Sequence, residues 1–269
     1  MLDYQNPSFI FMKVVITFFL IKLLPMMEKT VTEAITYRRS TRVYEDTPID
    51  SEKVKQCLYN GSLAPTSSNL QLWEFYHVTN KEILTKLAKS CFDQSAARTA
   101  QQLVVVVTRK DLWRQRAKAN IAFINKAYDK PDLTERELKR KTMATNYYGK
   151  LIPFTYFDFL GFFGLLKYLA FQVVGLFRPI YRQTRLSDMR IVAHKSAGLA
   201  AENFMISMAA IGYDTCPMEG SDTLRVKKIL KLPRGAEINM IIGCGIRNEE
   251  KGIYGPRFRI PFEEVYFRN

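Results

Sequence analysis

The sequence predicts an α+β fold, with helices packed around a sheet whose centre is apolar on both faces. Leu103 to Thr108 is a continuous apolar run of strand length, and Ile238 to Ile242 forms the apolar part of another. The intervening segments carry helical stripes or apolar helix-length stretches. No internal repeat or low-complexity linker divides the chain, so one domain over residues 28–269 is the simplest organisation. An apolar extension at 1–27 precedes it, and an apolar insertion at about 151–185 interrupts it.

The 269 residues are 47% hydrophobic and 25% charged, an ordinary globular composition that excludes disorder. A net charge of +14 points to an anionic partner: nucleic acid, an acidic membrane surface or a phosphorylated ligand. Nucleic acid is not expected, because the basic residues are spread along the chain without a helix-turn-helix, zinc-finger or RNP-like signature. Cys57, Cys91, Cys216 and Cys244 stand far apart, with only His77 and His194 to assist them. No metal site is therefore expected, and buried free thiols in a reducing compartment are.

Residues 8–27 are apolar but broken by Lys13 and Lys22, and the uninterrupted run Val14 to Ile21 is eight residues. A bilayer span needs about 20. The segment reads either as an interfacial membrane anchor or as an upstream extension ahead of a native start at Met27. Thr30-Val31-Thr32-Glu33 fits a capping box and predicts a short helix ending near Tyr37. Arg38-Arg39-Ser40-Thr41-Arg42 follows it. Guanidinium forks and hydroxyls in that density suit a phosphate, although a solvated basic helix end is the plainer reading of the cluster alone. A second helix begins after Thr47-Pro48-Ile49-Asp50 and ends around Leu63.

The polar stretch from Ala64 to Gln71 leads through Leu72 and Trp73 into a strand at Glu74 to Thr79 that contains His77. Helices are expected over Lys81 to Ser90, Leu112 to Ala127 and Leu133 to Tyr148. Residues 151–177 carry only Asp158 and Lys167 as charges, and Arg178, Arg182 and Arg185 follow. So much apolar area must be covered by the core, by a partner subunit or by lipid, and the basic flank favours anionic headgroups. After Asp188, read as a cap, Ile191 to Ile211 is a packed helix ended by Gly212. Tyr213 to Gly220 reads as a turn-rich loop, followed by a helix near Ser221 to Leu230 and a core strand at Glu237 to Gly245. Gly255-Pro256-Arg257-Phe258-Arg259 repeats the paired cations, and Ile260 to Asn269 is expected to extend over a neighbour.

Four segments, R-R-S-x-R, A-P-T-S-S-N-x-Q-x-W, G-Y-D-T-C-P-M-E-G and G-x-G…G-P-R-x-R, occur in the order found in the nitroreductase family of FMN-dependent flavoenzymes. The chain resembles that family from Met27 to Arg259, apart from the insertion. The resemblance implies a nitroreductase-like fold, with a central mixed or antiparallel sheet surrounded by helices in an intertwined homodimer. It also implies that Arg38, Ser40, Arg257 and Arg259 bind the FMN phosphate and ribityl chain, with Arg39 in the same segment. Arg42 would face the pyrimidine edge of the flavin, where a positive charge stabilises the anionic reduced form. Pro65, Thr66, Ser67 and Asn69 match a loop that reaches FMN from the other subunit. Pro217, Met218, Glu219 and Gly220 match a turn beside the flavin whose backbone amide donates to N5, and Gln94 stands where relatives place an asparagine touching the ring. Leu72 departs from a proline common before the tryptophan.

The implied activity is an FMN-dependent oxidoreductase that takes electrons from NADH or NADPH and passes them to a nitroaromatic or quinone. No titratable general acid or base is required of the protein. The rivals are a specialised relative that removes a halogen or cleaves flavin, and a non-catalytic membrane-associated flavin-binding protein. The expected setting is the cytoplasm, at the cytoplasmic face of a membrane if lipid covers the insertion.

Overall fold

Continuous burial of one strand organises the architecture. In the computed structural model, which describes residues 28–269, strand β2 (Gln102–Thr108) lies inside a four-stranded sheet with β1 (Trp73–Val78), β3 (Asp214–Met218) and β4 (Glu237–Gly245). The order is β1-β2-β4-β3 and every neighbouring pair is antiparallel. Phe75 faces Val106, Val104 faces Ile242 and Cys216 faces Gly243. The apolar extension at 1–27 lies outside the described residues.

Side chains alternate across the pleat, so β2 feeds two cores. Leu103, Val105 and Val107 join Leu87 and Ala88 of α3 (Lys81–Ser90) and Val226 of α10 (Thr223–Ile229). Val104 and Val106 join Val54 and Leu58 of α2 (Ser51–Ser62) and Ala200, Phe204 and Met208 of α9 (Leu186–Ala210). All five β2 residues are fully buried. Each contributes roughly 1.5–3 kcal/mol relative to exposure, which leaves little room for a polar residue there.

Helix α9 can sit against the sheet because Ala193, Ala197, Ala200, Ala201 and Ala209 are small and buried. Its crossing with α2 is closest at Gly61, where an added Cβ would lie 2.9 Å from the Ala200 carbonyl oxygen and 3.2 Å from Phe204 Cβ. Gly61→Val is expected to lower stability by about 1–3 kcal/mol through overpacking. A helix-propensity gain of less than about 1 kcal/mol opposes it and loses. The check is the thermal midpoint, and an unchanged midpoint would contradict the close crossing.

Several boundaries differ from expectation for identifiable reasons. The Tyr213 to Gly220 segment is not a loop throughout: Asp214–Met218 is β3, an edge strand, where Pro217 needs no outward N–H partner. Helix α9 starts at Leu186, and Asp188 caps it from within, its carboxylate accepting the Arg185 backbone N–H at 3.0 Å. Gly212 then ends it with a φ of 80°. Asp222 caps α10 through the Arg225 amide at 3.1 Å. A short helix α4 (Ser95–Arg98) follows Gln94 and was not foreseen. Helix α1 (Val31–Tyr37) keeps its capping box between Thr30 and Glu33.

The four cysteines are buried and free. Burial pushes the Cys57 thiol up to about 12 and the Cys91 thiol up to about 11, so they act as small apolar residues.

The insertion grows out of a helical arm. Helix α5 (Trp113–Ala127) and helix α6 (Glu135–Asn146) lead into a π-turn at Tyr147–Leu151, then α7 (Ile152–Tyr156) and α8 (Phe162–Val174). Ile152 and Tyr156 anchor it in a third core with Leu70, Leu72 and Met189. Leu72 is thus a packed side chain of this third core. Among the described residues no helix is long and apolar enough to cross a membrane.

Candidate functional site

The basic segment is held from three sides. Helix α1 ends with free carbonyls, and two arginines from beyond β4 take them. Arg257 Nη2 donates to Thr36 O at 2.8 Å and Arg38 O at 2.5 Å, while Arg247 Nη2 donates to Tyr37 O at 3.2 Å. Arg247 is itself fixed by Asp214, whose carboxylate accepts its Nε at 2.7 Å and its backbone N–H at 2.9 Å. The Asp214 side chain is 1% exposed. Arg247 also stacks on Tyr37, 4.1 Å from the ring centroid. Burial pulls the Arg247 pKa down, and the Asp214 carboxylate more than reverses this, leaving it raised.

Residues beyond the helix run along the sheet edge. Ser40 bridges Thr215 of β3 in parallel, Thr41 N donates to Thr215 O at 3.2 Å, and Arg42 N donates to Gly252 O at 2.7 Å. Gly255, with a φ of 70°, turns the last loop so that its carbonyl accepts Arg39 Nη2 at 2.8 Å. That conformation is why glycine stands there.

The result is a cleft of about 230 Å³ lined by Arg38, Arg39, Ser40, Arg42, Arg257 and Arg259, with Tyr254 and Phe258 among its walls. Among the described residues no acidic side chain lines it. The nearest ion pair is loose, Arg38 Nε to Glu202 Oε1 at 3.9 Å. Arg257 has its pKa lowered, first by burial and then by the charges of Arg259, Arg39 and Arg38. Like charges crowd there without a close counterion among the described residues, a state that an anion relieves. Arg38 and Arg42 also act on the Cys216 thiol, where they partly offset the upward push of burial.

Gln94 and the β3 turn meet as well. Gln94 Nε2 donates to Gly220 O at 3.0 Å, joining positions 126 residues apart. Glu219 and Gly220 are exposed, and Pro217 is half-buried. Met218 is different: the residue is 3% exposed and belongs to the core.

Pro65, Thr66, Ser67 and Asn69 do not line the arginine cleft. Their loop is strapped to the other end of the fold: the Ser67 amide donates to Ser196 Oγ at 3.4 Å and Asn69 Nδ2 to Asn120 Oδ1 at 3.1 Å. Ser68 and Asn69 hold φ values of 54° and 47° there. Ser67 and Ser68 instead line a second cavity of about 430 Å³, with Tyr147, Tyr156, Phe171 and Thr184. Thr184 Oγ1 is buried without a hydrogen-bond partner among the described residues. The chain therefore carries a cationic half and an apolar half at separate places. Asp214, Arg247, Tyr254 and Phe258 were not foreseen; the only local signal was the aromatic spacing of Tyr254 and Phe258 among the late cations.

Comparison with known proteins gives consistent results. The sequence model described as Nitroreductase family matches residues 35–246. A Staphylococcus epidermidis protein provisionally named an NAD(P)H nitroreductase is 27% identical over 83% of this chain and 90% of its own. A chain from Exiguobacterium sibiricum, solved in complex with FMN, superposes with a TM-score of 0.64 at 20% identity, covering 91% of this chain and 100% of that one. The NADPH:FMN oxidoreductase of Vibrio harveyi, solved with NAD+, gives a TM-score of 0.56 at 17% identity over 89% and 76%.

Proposed function

The chain belongs to the nitroreductase family, and from that premise we propose that it is an FMN-dependent NAD(P)H oxidoreductase acting on a nitroaromatic or quinone acceptor. The observation that carries this is the arginine cleft, where five guanidinium groups face one small space with no carboxylate of the described residues among its walls. A phosphate monoester has the charge and the acceptor oxygens that such a cleft lacks. The cleft is also smaller than the roughly 300–1,000 Å³ of a whole ligand pocket, so it suits the phosphate end and not the ring. Relatives whose names or contents include FMN and NAD(P)H support the same cofactors here.

In this reading Arg38, Arg39, Ser40, Arg257 and Arg259 hold the phosphate and ribityl chain. Arg42 supplies positive charge toward the pyrimidine edge. Gln94 fixes the Gly220 carbonyl, which sets the turn whose amides reach the flavin. Hydride and electron transfer are the chemistry of the FMN when bound, and the protein contributes orientation and electrostatics.

The assembly we propose is a homodimer, in which the Pro65 to Asn69 loop of one copy completes the cleft of the other. Its support is that one chain leaves the two halves apart, and that Phe258, Phe262 and Phe267 of the last segment are 80%, 65% and 77% exposed. Such a segment is suited to lie over a neighbour. The test is the absorbance spectrum of the purified protein, followed by anaerobic addition of NADH and NADPH. A flavin spectrum that bleaches with one of them is expected; a colourless protein that FMN cannot reconstitute would refute the assignment.

A further inference from the structure

The hairpin formed by α7 and α8 is more apolar outside than a solvent-facing arm should be. Leu160 is 91% exposed and Phe177 83%, with Phe159, Phe162, Leu169 and Leu176 each more than half exposed. The few charges in this stretch are engaged in hydrogen bonds within the arm. Asp158 Oδ1 accepts the Gly164 amide at 3.0 Å, capping the start of α8. Lys167 Nζ donates to the carbonyls of Phe154 and Phe157, each at 2.9 Å, and of Thr155 at 3.2 Å. Burial lowers its pKa. Arg182 reaches back to Gln172 Oε1 at 3.1 Å and to the Gly175 carbonyl. From Phe159 to Phe177 the outward surface thus carries no free charge.

Along the insertion itself, residues 151–185, the charge is mostly of one sign: Lys167, Arg178, Arg182 and Arg185 stand against one acid, Asp158. Arg178, at the foot of α8, is exposed and is without an ion pair or side-chain hydrogen bond among the described residues. The 13 residues of α8 make a rod of roughly 20 Å, too short to cross the hydrocarbon layer of about 30 Å.

We propose that this hairpin docks in the plane of an anionic lipid bilayer, with Leu160, Phe162 and Phe177 below the headgroups and Arg178 among the phosphates. An apolar face with a cationic border is the pattern that interfacial elements use, and anionic lipid supplies the complementary charge. The same hairpin walls the second cavity through Phe154, Tyr156 and Phe171. Resting on the flavoenzyme reading, this assigns the acceptor to lipophilic ring compounds that partition into the bilayer.

The experiment is flotation of the full chain with vesicles of phosphatidylcholine alone and with about 30% phosphatidylglycerol, a mixture chosen to give an anionic surface. Wild type is expected to float with the anionic vesicles and at least about tenfold less with the neutral ones. Leu160→Glu with Phe177→Glu should cut flotation at least about tenfold, with FMN content and unfolding midpoint unchanged. Arg178→Glu should reduce the preference for anionic lipid. Absence of flotation overturns the proposal, as does flotation that survives the double substitution. A double variant with an altered oligomeric state would make a second copy the occupant and also overturn it. Flavin bleaching is read separately, so failure of docking and failure of the redox assignment are distinguishable.

Discussion

Arg257→Ala is expected to strip most of the FMN from the purified protein. Arg257 serves the cleft twice. Its guanidinium faces the space shared with Arg38, Arg39 and Arg259, and its Nη2 ties the last loop to the carbonyls of Thr36 and Arg38. Loss of a charge-assisted hydrogen bond costs about 1.5–3 kcal/mol. With about 1.4 kcal/mol per tenfold, one such bond to phosphate corresponds to a tenfold to roughly 150-fold rise in Kd. Flavin-to-protein ratio and fluorescence titration of apoprotein with FMN provide the measurement. Arg38→Ala should act in the same direction. Arg42→Ala should behave differently, keeping more FMN but lowering its reduction potential by tens of millivolts, about 30 mV being equivalent to 1.4 kcal/mol for a two-electron couple. Equal effects of Arg38→Ala and Arg42→Ala on the potential would show that one cleft does not divide its cations in this way.

The parts of this site that could be read from sequence are those whose chemistry is local. Arg38 to Arg42 point to an anion only in the company of the three later segments, whereas Leu103 to Thr108 announce a central strand because burial on both faces removes the polar alternation. β3 was hidden because Asp214 and Pro217, at its start and near its end, have weak strand preference; pairing with β4 supplies what propensity does not. Gln94 and Gly220 meet across 126 residues, and Arg247 and Asp214 across 33, distances over which a single sequence carries no pairing signal. The Pro65 to Asn69 loop was legible as a motif, and the resemblance placed it at the flavin of the other subunit. Its own chain carries it to the apolar cavity, apart from the arginine cleft. In the insertion, apolar residues on nearly every side conceal the helix boundaries, since there is no polar face to set the phase.

The largest loss of stability from a single polar change is expected at Asp214. Removing its carboxylate with Asp214→Ala leaves Arg247 part-buried, with its Nε and backbone N–H unpaired and its hold on the α1 terminus weakened. Breaking one side of a buried pair costs about 3–5 kcal/mol, much of it from the charge left behind. Against a total stability of about 5–15 kcal/mol, this is a large fraction. The urea midpoint of the apoprotein should fall accordingly, and FMN retention should fall with it, because Tyr37 and Arg38 no longer have a fixed position. Asp214→Asn retains an oxygen for the Arg247 amide and should recover part of the midpoint. Arg257→Ala supplies the contrast, since Arg257 is exposed and outside the hydrophobic core and its loss should reduce FMN retention with little change in the apoprotein midpoint. A midpoint for Asp214→Ala within about 0.5 kcal/mol of wild type, the range of ordinary surface changes, would mean that the cleft is positioned by the last loop alone.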